Sequence, residues 1–515
     1  MRMTFLPSLR VMGVALMAAS APLSLTMGST VLAQDLQTGT LRVGTLNDIA
    51  NYDPQQFSTI NFPLIKNLYD SLIEYTENGE PVPSLAESWE IAEDNRSVTV
   101  TLRDDVTFHS GKTMTSADVD ATLQKGANPE RGKNVFATMA VVENWETPDA
   151  TTVKLNFKQA VPDKQILDLL QFLIVLEAEG VDNIEAVPAG TGPFKLANRV
   201  VGQSITLEAN ENYWREGEPI LEGVEFTVFT EDASMTAALE SDALDLIYNG
   251  SSRAAVRLRD AGYTVVAGPG KLVQVFRINT TRGPFQNESF RQAFNYLMDR
   301  DAILRVGYAG LGEVTALPWA PASPAADPAY NETYAYNLDK AKELLDASGL
   351  SDAEKSDWTI LTNGGQEDAV AISQIVQGSL AEIGINVELD VRQSAEFTTA
   401  LLAGDFFATF GGVGNVQKFP SRVATNSIYR TVNNPVLKDP HPHPEYVAAI
   451  EQVNSAFGED VQAAYDNLNK VLVESAFGIP TNSYETGLIV AAPDVGGFTL
   501  DIDNLLVART LGFTN

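Results

Sequence analysis

The chain holds only three histidines, and two of them stand at i and i+2 in the run Asp439-Pro440-His441-Pro442-His443-Pro444. In an extended segment stiffened by proline, His441 and His443 point to the same side and have the donor chemistry to share a metal ion. Ligands from elsewhere would be needed to complete such a site, so the plainer expectation is a solvated connector and no resident metal. His109 lies in Phe108-His109-Ser110-Gly111, with no adjacent acid or second histidine. A histidine before a glycine turn reads as a structural hydrogen-bonding group. No cysteine occurs, which removes disulfides, thiolate metal sites, a cysteine nucleophile and a lipid anchor on an N-terminal cysteine. The nearest approach to a phosphate-binding loop, Gly126 to Lys133, has the wrong spacing and is followed by Asn134. There is no G-x-S-x-G, H-E-x-x-H or EF-hand loop. A Ser/His/Asp triad is assembled in space, yet three histidines leave few choices for one. Neither a catalytic group nor a cofactor is expected.

The elements that would position any site belong to an exported chain. Arg2 and Arg10 make a positive segment before the uncharged apolar run Val11 to Leu25, and Val31-Leu32-Ala33 places small or aliphatic residues for cleavage before Gln34. The apolar run is shorter than the roughly 20 residues a bilayer needs, and Pro22 and Gly28 interrupt its flank. Residues 1–33 are therefore expected to be a signal peptide, releasing a soluble periplasmic protein. The remaining length, about 480 residues, suits two or three domains. The formal net charge of −32 disfavours nucleic acid and anionic membranes, and otherwise reads as a solubility feature.

Strand and helix patterns are mixed. Leu41, Val43 and Thr45 start a strand that runs into a turn-rich loop. Phe62, Ile65, Leu68, Leu72 and Tyr75 recur at helical spacing and predict one amphipathic helix. Val98, Val100 and Leu102 alternate with polar residues, as do Val153, Leu155 and Phe157, then Ile205 and Leu207, then Val224, Phe226 and Val228. Asn287 can cap a helix carrying Phe290, Phe294, Leu297 and Ile303, and Asn337 one that stops at Gly349. Trp358 to Leu361, a helix through Ala369, Ile372 and Leu380 to Gly384, and Ile385 to Val391 spell a βαβ unit with parallel strands. Helices are expected around Tyr446–Phe457 and Val461–Phe477, with short strands from Ile479.

Ala86-Glu87-Ser88-Trp89, the strand ending Leu102-Arg103, Val106-Thr107-Phe108-His109-Ser110-Gly111 and Ala117-Asp118-Val119 follow one another in an order that resembles the peptide/nickel class, family 5, of bacterial ABC-transporter solute-binding proteins. Gly190-Thr191-Gly192-Pro193-Phe194, Asn210-Glu211-Asn212-Tyr213-Trp214, Ile278-Asn279-Thr280 and Arg291-Gln292-Ala293-Phe294 continue it in family order. Trp89 and His109 themselves read as packing and hydrogen-bonding residues. The resemblance implies an α/β, bilobed periplasmic-binding-protein fold with an additional accessory subdomain. It places lobe I, discontinuous, in 34–67, 189–282 and 478–515, the accessory subdomain in 68–188, and lobe II in 283–477. A small-molecule solute would sit between the lobes and close them by hinge motion, and an inner-membrane ABC permease complex would accept it from a monomeric receptor.

By the same analogy four loops would meet the solute: Asn47, Asp48 and Tyr52 after the first strand, Tyr248 and Asn249, Phe410 to Arg422 with Gly411 and Asn415, and Tyr484. Trp319 is a further expectation, as an aromatic wall. Peptide binders of this class offer an aspartate soon after the aromatic-glycine pair, to meet the α-ammonium. Here Phe410-Gly411-Gly412-Val413-Gly414-Asn415-Val416-Gln417-Lys418-Phe419-Pro420-Ser421-Arg422 contains no acid. An unpaired buried ammonium is costly, so either Asp48, Asp53 or another acid takes the role, or the solute is not an ordinary peptide. The expected function is capture of a peptide or peptide-sized organic solute for an ABC importer. An oligosaccharide, opine or other carboxylated solute is the alternative; a periplasmic enzyme and a chaperone-like interaction protein rank behind.

Overall fold

The computed structural model describes residues 36–514 apart from 47, 49–50, 57–61, 77–78, 249, 267–271, 322, 365–366, 415–419, 427, 430–442, 485–487 and 500–507. The signal-peptide expectation falls outside the described residues. Among them no helix is long and apolar enough to cross a membrane.

Three sheets take up the alternating strands. In the first, of seven strands, Thr40–Thr45 runs parallel to Gly223–Val228 on one side and Leu246–Tyr248 on the other. Ser204–Ala209 and Phe194–Val200 extend one edge as antiparallel strands. Ile489–Ala491 enters between Leu246–Tyr248 and Thr264–Val266, antiparallel to both. Leu41, Val43, Val224, Phe226, Leu246 and Ile489 make its core, because strands flanked on both sides can exclude water from their apolar residues.

The second sheet runs Glu313–Val314, Gly478–Tyr484, Leu272–Ile278, Ala408–Val413, Thr359–Asn363, Glu388–Arg392. Leu272–Ile278 is central and sends Val273 and Val275 to one core, Phe276 and Ile278 to another. The βαβ unit is present as read, with Thr359 opposite Glu388, Glu367–Glu382 as the crossover helix, and Gly384 at φ +85° ending the turn after it. The boundaries drawn from the sequence leave Leu272–Ile278 and Gly478–Tyr484 in lobe I, whereas both are hydrogen-bonded to each other in this second sheet. The chain thus passes between the two large sheets twice, from Val266 to Leu272 and from Tyr484 to Ile489.

The third sheet is an antiparallel set of four, Ala86–Ile91, Ser97–Leu102, Thr152–Phe157 and Val142–Asp149. Helices Ser116–Gly126 and Asp163–Phe172 cover its apolar face, and Trp89 packs against that core.

Two helix expectations change. Phe62–Leu68 is helical, but Ile73–Tyr75 is a strand paired with Pro81–Pro83. The break is at Asp70, a buried carboxylate that accepts hydrogen bonds from Thr191 Oγ1, Tyr213 Oη and Trp214 Nε1 at 3.0–3.1 Å. The helix capped by Asn287 ends at Leu297, and Asp299 caps a new one, Arg300–Gly307, which holds Ile303.

Candidate functional site

In open α/β sheets the ligand crevice lies beyond the carboxyl ends of the parallel strands. Here those ends are Thr45, Val228 and Tyr248 in the first large sheet, and Asn363, Arg392 and Val413 in the second. The loops expected to meet a solute leave from three of them.

The loop after Thr45 is held by its own acids. Asp48 Oδ2 accepts from Arg199 Nη2 at 3.0 Å and from the Gly202 amide at 2.8 Å, pinning the hairpin tip between Phe194–Val200 and Ser204–Ala209. The Arg199 guanidinium lies 5.5 Å from the centre of the buried Tyr52 ring. Asp53 is almost fully buried; its Oδ2 accepts from Lys125 Nζ at 2.6 Å and its Oδ1 from the Gln55 amide. Burial lowers the Lys125 pKa, and the Asp53 charge beside it acts the other way. Both acids named to replace the missing aspartate are therefore committed to protein partners.

The run Phe410 to Gly414 owes its glycines to close packing. The Phe410 ring meets Phe276 edge-on at 5.2 Å, across the ladder. A Cβ on Gly411 would lie 3.3 Å from Ile428 Cδ1, one on Gly412 2.7 Å from Tyr484 Oη, and one on Gly414 2.3 Å from Leu272 Cδ2. Contacts under 3.0 Å require displacement, so only glycine fits at 412 and 414 without movement. Tyr484 in turn lies 4.6 Å from Tyr308, ring centre to ring centre. Tyr308 Oη donates to Gln274 Oε1 at 2.8 Å. Burial pushes the Tyr484 phenol up to about 12, so it remains a neutral hydroxyl.

The other named residues separate. Tyr248 is buried at the end of its strand, opposite Thr45 and Ile489. Trp319 is 1% exposed and donates from Nε1 to Asn469 Oδ1 at 2.6 Å, which makes it a core residue rather than a wall. Asn47, Asn249 and Asn415 lie outside the described residues, as does the side chain of Arg422 in Pro420–Thr425. His441 does too; His443 is 5% exposed and stacked on Phe477 at 4.8 Å, so it is not the solvated residue of the connector reading. Among the described residues no group of His, Cys, Asp and Glu is arranged to hold a metal. A polar cavity of about 440 Å³ opens beside His443, Arg291, Glu445 and Glu474, away from the named loops.

The signature residues join the third sheet to the first. His109 Nε2 lies 3.0 Å from the Gly192 carbonyl, and its amide donates to Gly190 O. Burial lowers the imidazole to about 4, so the ring is neutral and Nε2–H donates to that carbonyl. Gly190 and Gly192 must be glycine because the Leu68 carbonyl group lies where their Cβ atoms would be. The guanidiniums of Arg103 and Arg215 lie over the Trp214 ring, 4.6 and 4.2 Å from its centre. Arg199, Tyr308 and Gln274 were not foreseen; no local pattern marks them, since each gains its meaning from a partner far away in sequence.

Comparison with known proteins agrees with this arrangement. Residues 80–434 match the model of the bacterial extracellular solute-binding proteins, family 5. The glutathione-binding protein GsiB of Salmonella paratyphi A is 26% identical over 372 residues, 70% of this chain and 69% of that protein. A Brucella ovis protein named for ABC-transporter peptide binding is 28% identical over 396 residues, 73% of this chain and 74% of that protein. Among solved structures, NikA of Brucella suis with Fe(III)-EDTA superposes with a TM-score of 0.80 at 24% identity, covering 92% of this chain and all of that one. AgaA of A. tumefaciens R10 with agropinic acid gives 0.76 at 24%, covering 93% and 99%. Both are bilobed binding proteins, and this chain shares their α/β fold. With the family match spanning more than half its length, the chain belongs to the bacterial extracellular solute-binding proteins of family 5.

Proposed function

We propose that this protein is the periplasmic receptor of an ABC importer and that it captures a peptide-sized organic solute bearing a carboxylate, rather than an ordinary free-amine peptide. The observation that carries the ligand class is the commitment of Asp48 to Arg199 and of Asp53 to Lys125. With no acid in the Phe410 to Arg422 run, an α-ammonium would reach the carboxylate of Asp48 or Asp53 only by displacing its cation, and at the buried Asp53–Lys125 pair that costs about 3–5 kcal/mol. The names of similar proteins span glutathione, peptides, agropinic acid and a metal chelate, several of them carboxylated solutes.

In this reading lobe I holds the seven-stranded sheet, the accessory subdomain 68–188 docks on it through Asp70 and His109, and lobe II holds the six-stranded sheet. The receptor is a monomer released by cleavage before Gln34. Only a solute that binds the closed form better can shift the lobes and signal the permease.

The test is a thermal-shift screen of residues 34–515 with di- to pentapeptides, glutathione, opines, oligosaccharides and metal chelates. A solute at 100 times its dissociation constant adds about 2.7 kcal/mol. Hits among opines, chelates or other carboxylated conjugates support the reading. Tight binding of plain peptides overturns the ligand class, and silence across the panel overturns the receptor role.

A further inference from the structure

The helices that follow Leu246–Tyr248 and Thr359–Asn363 leave from the crevice ends of the two large sheets. Ser252–Asp260 belongs to the first, where Ala255 and Leu258 pack with Ile247 and Val490. Glu367–Glu382 belongs to the second, where Ile372, Val376 and Leu380 pack with Ile360. Arg253 Nη2 donates to Asp368 Oδ1 at 3.1 Å and joins the first turns of these helices. Among the described residues this is the one ion pair that links the two layers.

Three features suit the pair to a contact that opens and closes. Its side chains are 60% and 50% exposed, so it can open without uncovering a buried charge. Asp368 suits the positive end of its helix, but Arg253 stands in a first turn, where the helix dipole disfavours a cation. The helix itself therefore does not explain Arg253; the acid across the gap does. Leu311, from the loop after Arg300–Gly307, packs against the first layer's cluster of Met235, Ala255, Leu258 and Val490. A second-layer segment thus touches the first layer.

We propose that Arg253 and Asp368 form a breakable latch between the lobes, holding part of the solute-free population closed and so setting apparent affinity. The inference rests on the receptor reading of the fold. Apparent affinity scales with the fraction of protein in the binding-competent state, so a residue that never touches solute can tune it. Because the pair is exposed, salt weakens it, and ionic strength becomes a control on closure.

The chain contains no cysteine, so Val201→Cys and Leu402→Cys, at sites 75% and 76% exposed in different layers, can carry spin labels without background. Distances are read by double electron–electron resonance on solute-free protein. Arg253→Ala and Asp368→Ala should each raise the open-to-closed ratio about two- to five-fold, the range expected for an exposed pair. High salt should do the same to the parent and not to the variants. The exchange Arg253→Asp with Asp368→Arg should restore the parent distribution. Identical distributions in parent and variants at low salt would overturn the latch. The receptor reading is judged separately, by whether a solute that raises the melting temperature also shortens the distance.

Discussion

The hydroxyl of Tyr484 lies 2.7 Å from the point where a side chain on Gly412 would begin. Two strands that pair with opposite sides of Leu272–Ile278 are thereby fitted to each other. Gly412→Ala is expected to cost about 1–3 kcal/mol by overpacking. Removing the hydroxyl leaves the ring carbon at 3.9 Å, so in a Tyr484→Phe background the same change should be nearly neutral. A double-mutant cycle by urea denaturation measures this; additive costs would show that the hydroxyl is not the obstacle.

His109 makes stability depend on pH. Its folded pKa, about 4, lies below the ordinary 6.5, so the unfolded chain binds more protons between those values. Stability is therefore lost as pH falls through that window, by up to about 1.4 kcal/mol per unit, and this group contributes nothing above it. His109→Gln should flatten the profile between pH 6.5 and 4. Equal slopes for the two proteins would assign the acid sensitivity to other groups.

Lys125→Met leaves the Asp53 carboxylate buried without its cation, and a cost of about 3–5 kcal/mol is expected. Adding Asp53→Asn should recover part of it. Neither change should alter which solutes bind. A change in solute preference with intact stability would return Asp53 to the ligand.

Trp319→Phe removes the hydrogen bond to Asn469, whose amide also holds the Ala325 carbonyl at 2.9 Å. A loss of about 1–3 kcal/mol in stability is expected, with solute affinity unchanged once the protein is folded. Weakened binding at unchanged stability would support the aromatic-wall role instead.

What the sequence displayed was local. The caps at Asn287 and Asn337, the βαβ unit and the alternating strands depend on neighbours within a few residues, and all formed. The helix through Tyr75 failed because Asp70 answers to Thr191, Tyr213 and Trp214, more than a hundred residues on. The run from Phe410 reads as a solute-facing loop by analogy, and the cause of Gly411, Gly412 and Gly414, in Ile428, Tyr484 and Leu272, is invisible in the run itself. Asp48 and Asp53 looked available for the same reason: Arg199 and Lys125 reach them only after folding.

The strand Ile489–Ala491 separates Leu246–Tyr248 from Thr264–Val266, yet it follows the entire second sheet in the chain. As the polypeptide emerges from its N-terminus, the four-stranded sheet can form at once from residues 86–157, while the seven-stranded sheet stays in two unjoined pieces. Long-range pairings of this kind are slow to close, because chain entropy is lost before the contacts reward it. The molecule is thus built to finish late, and a nascent chain lacking those three residues should keep an open sheet edge until synthesis reaches them.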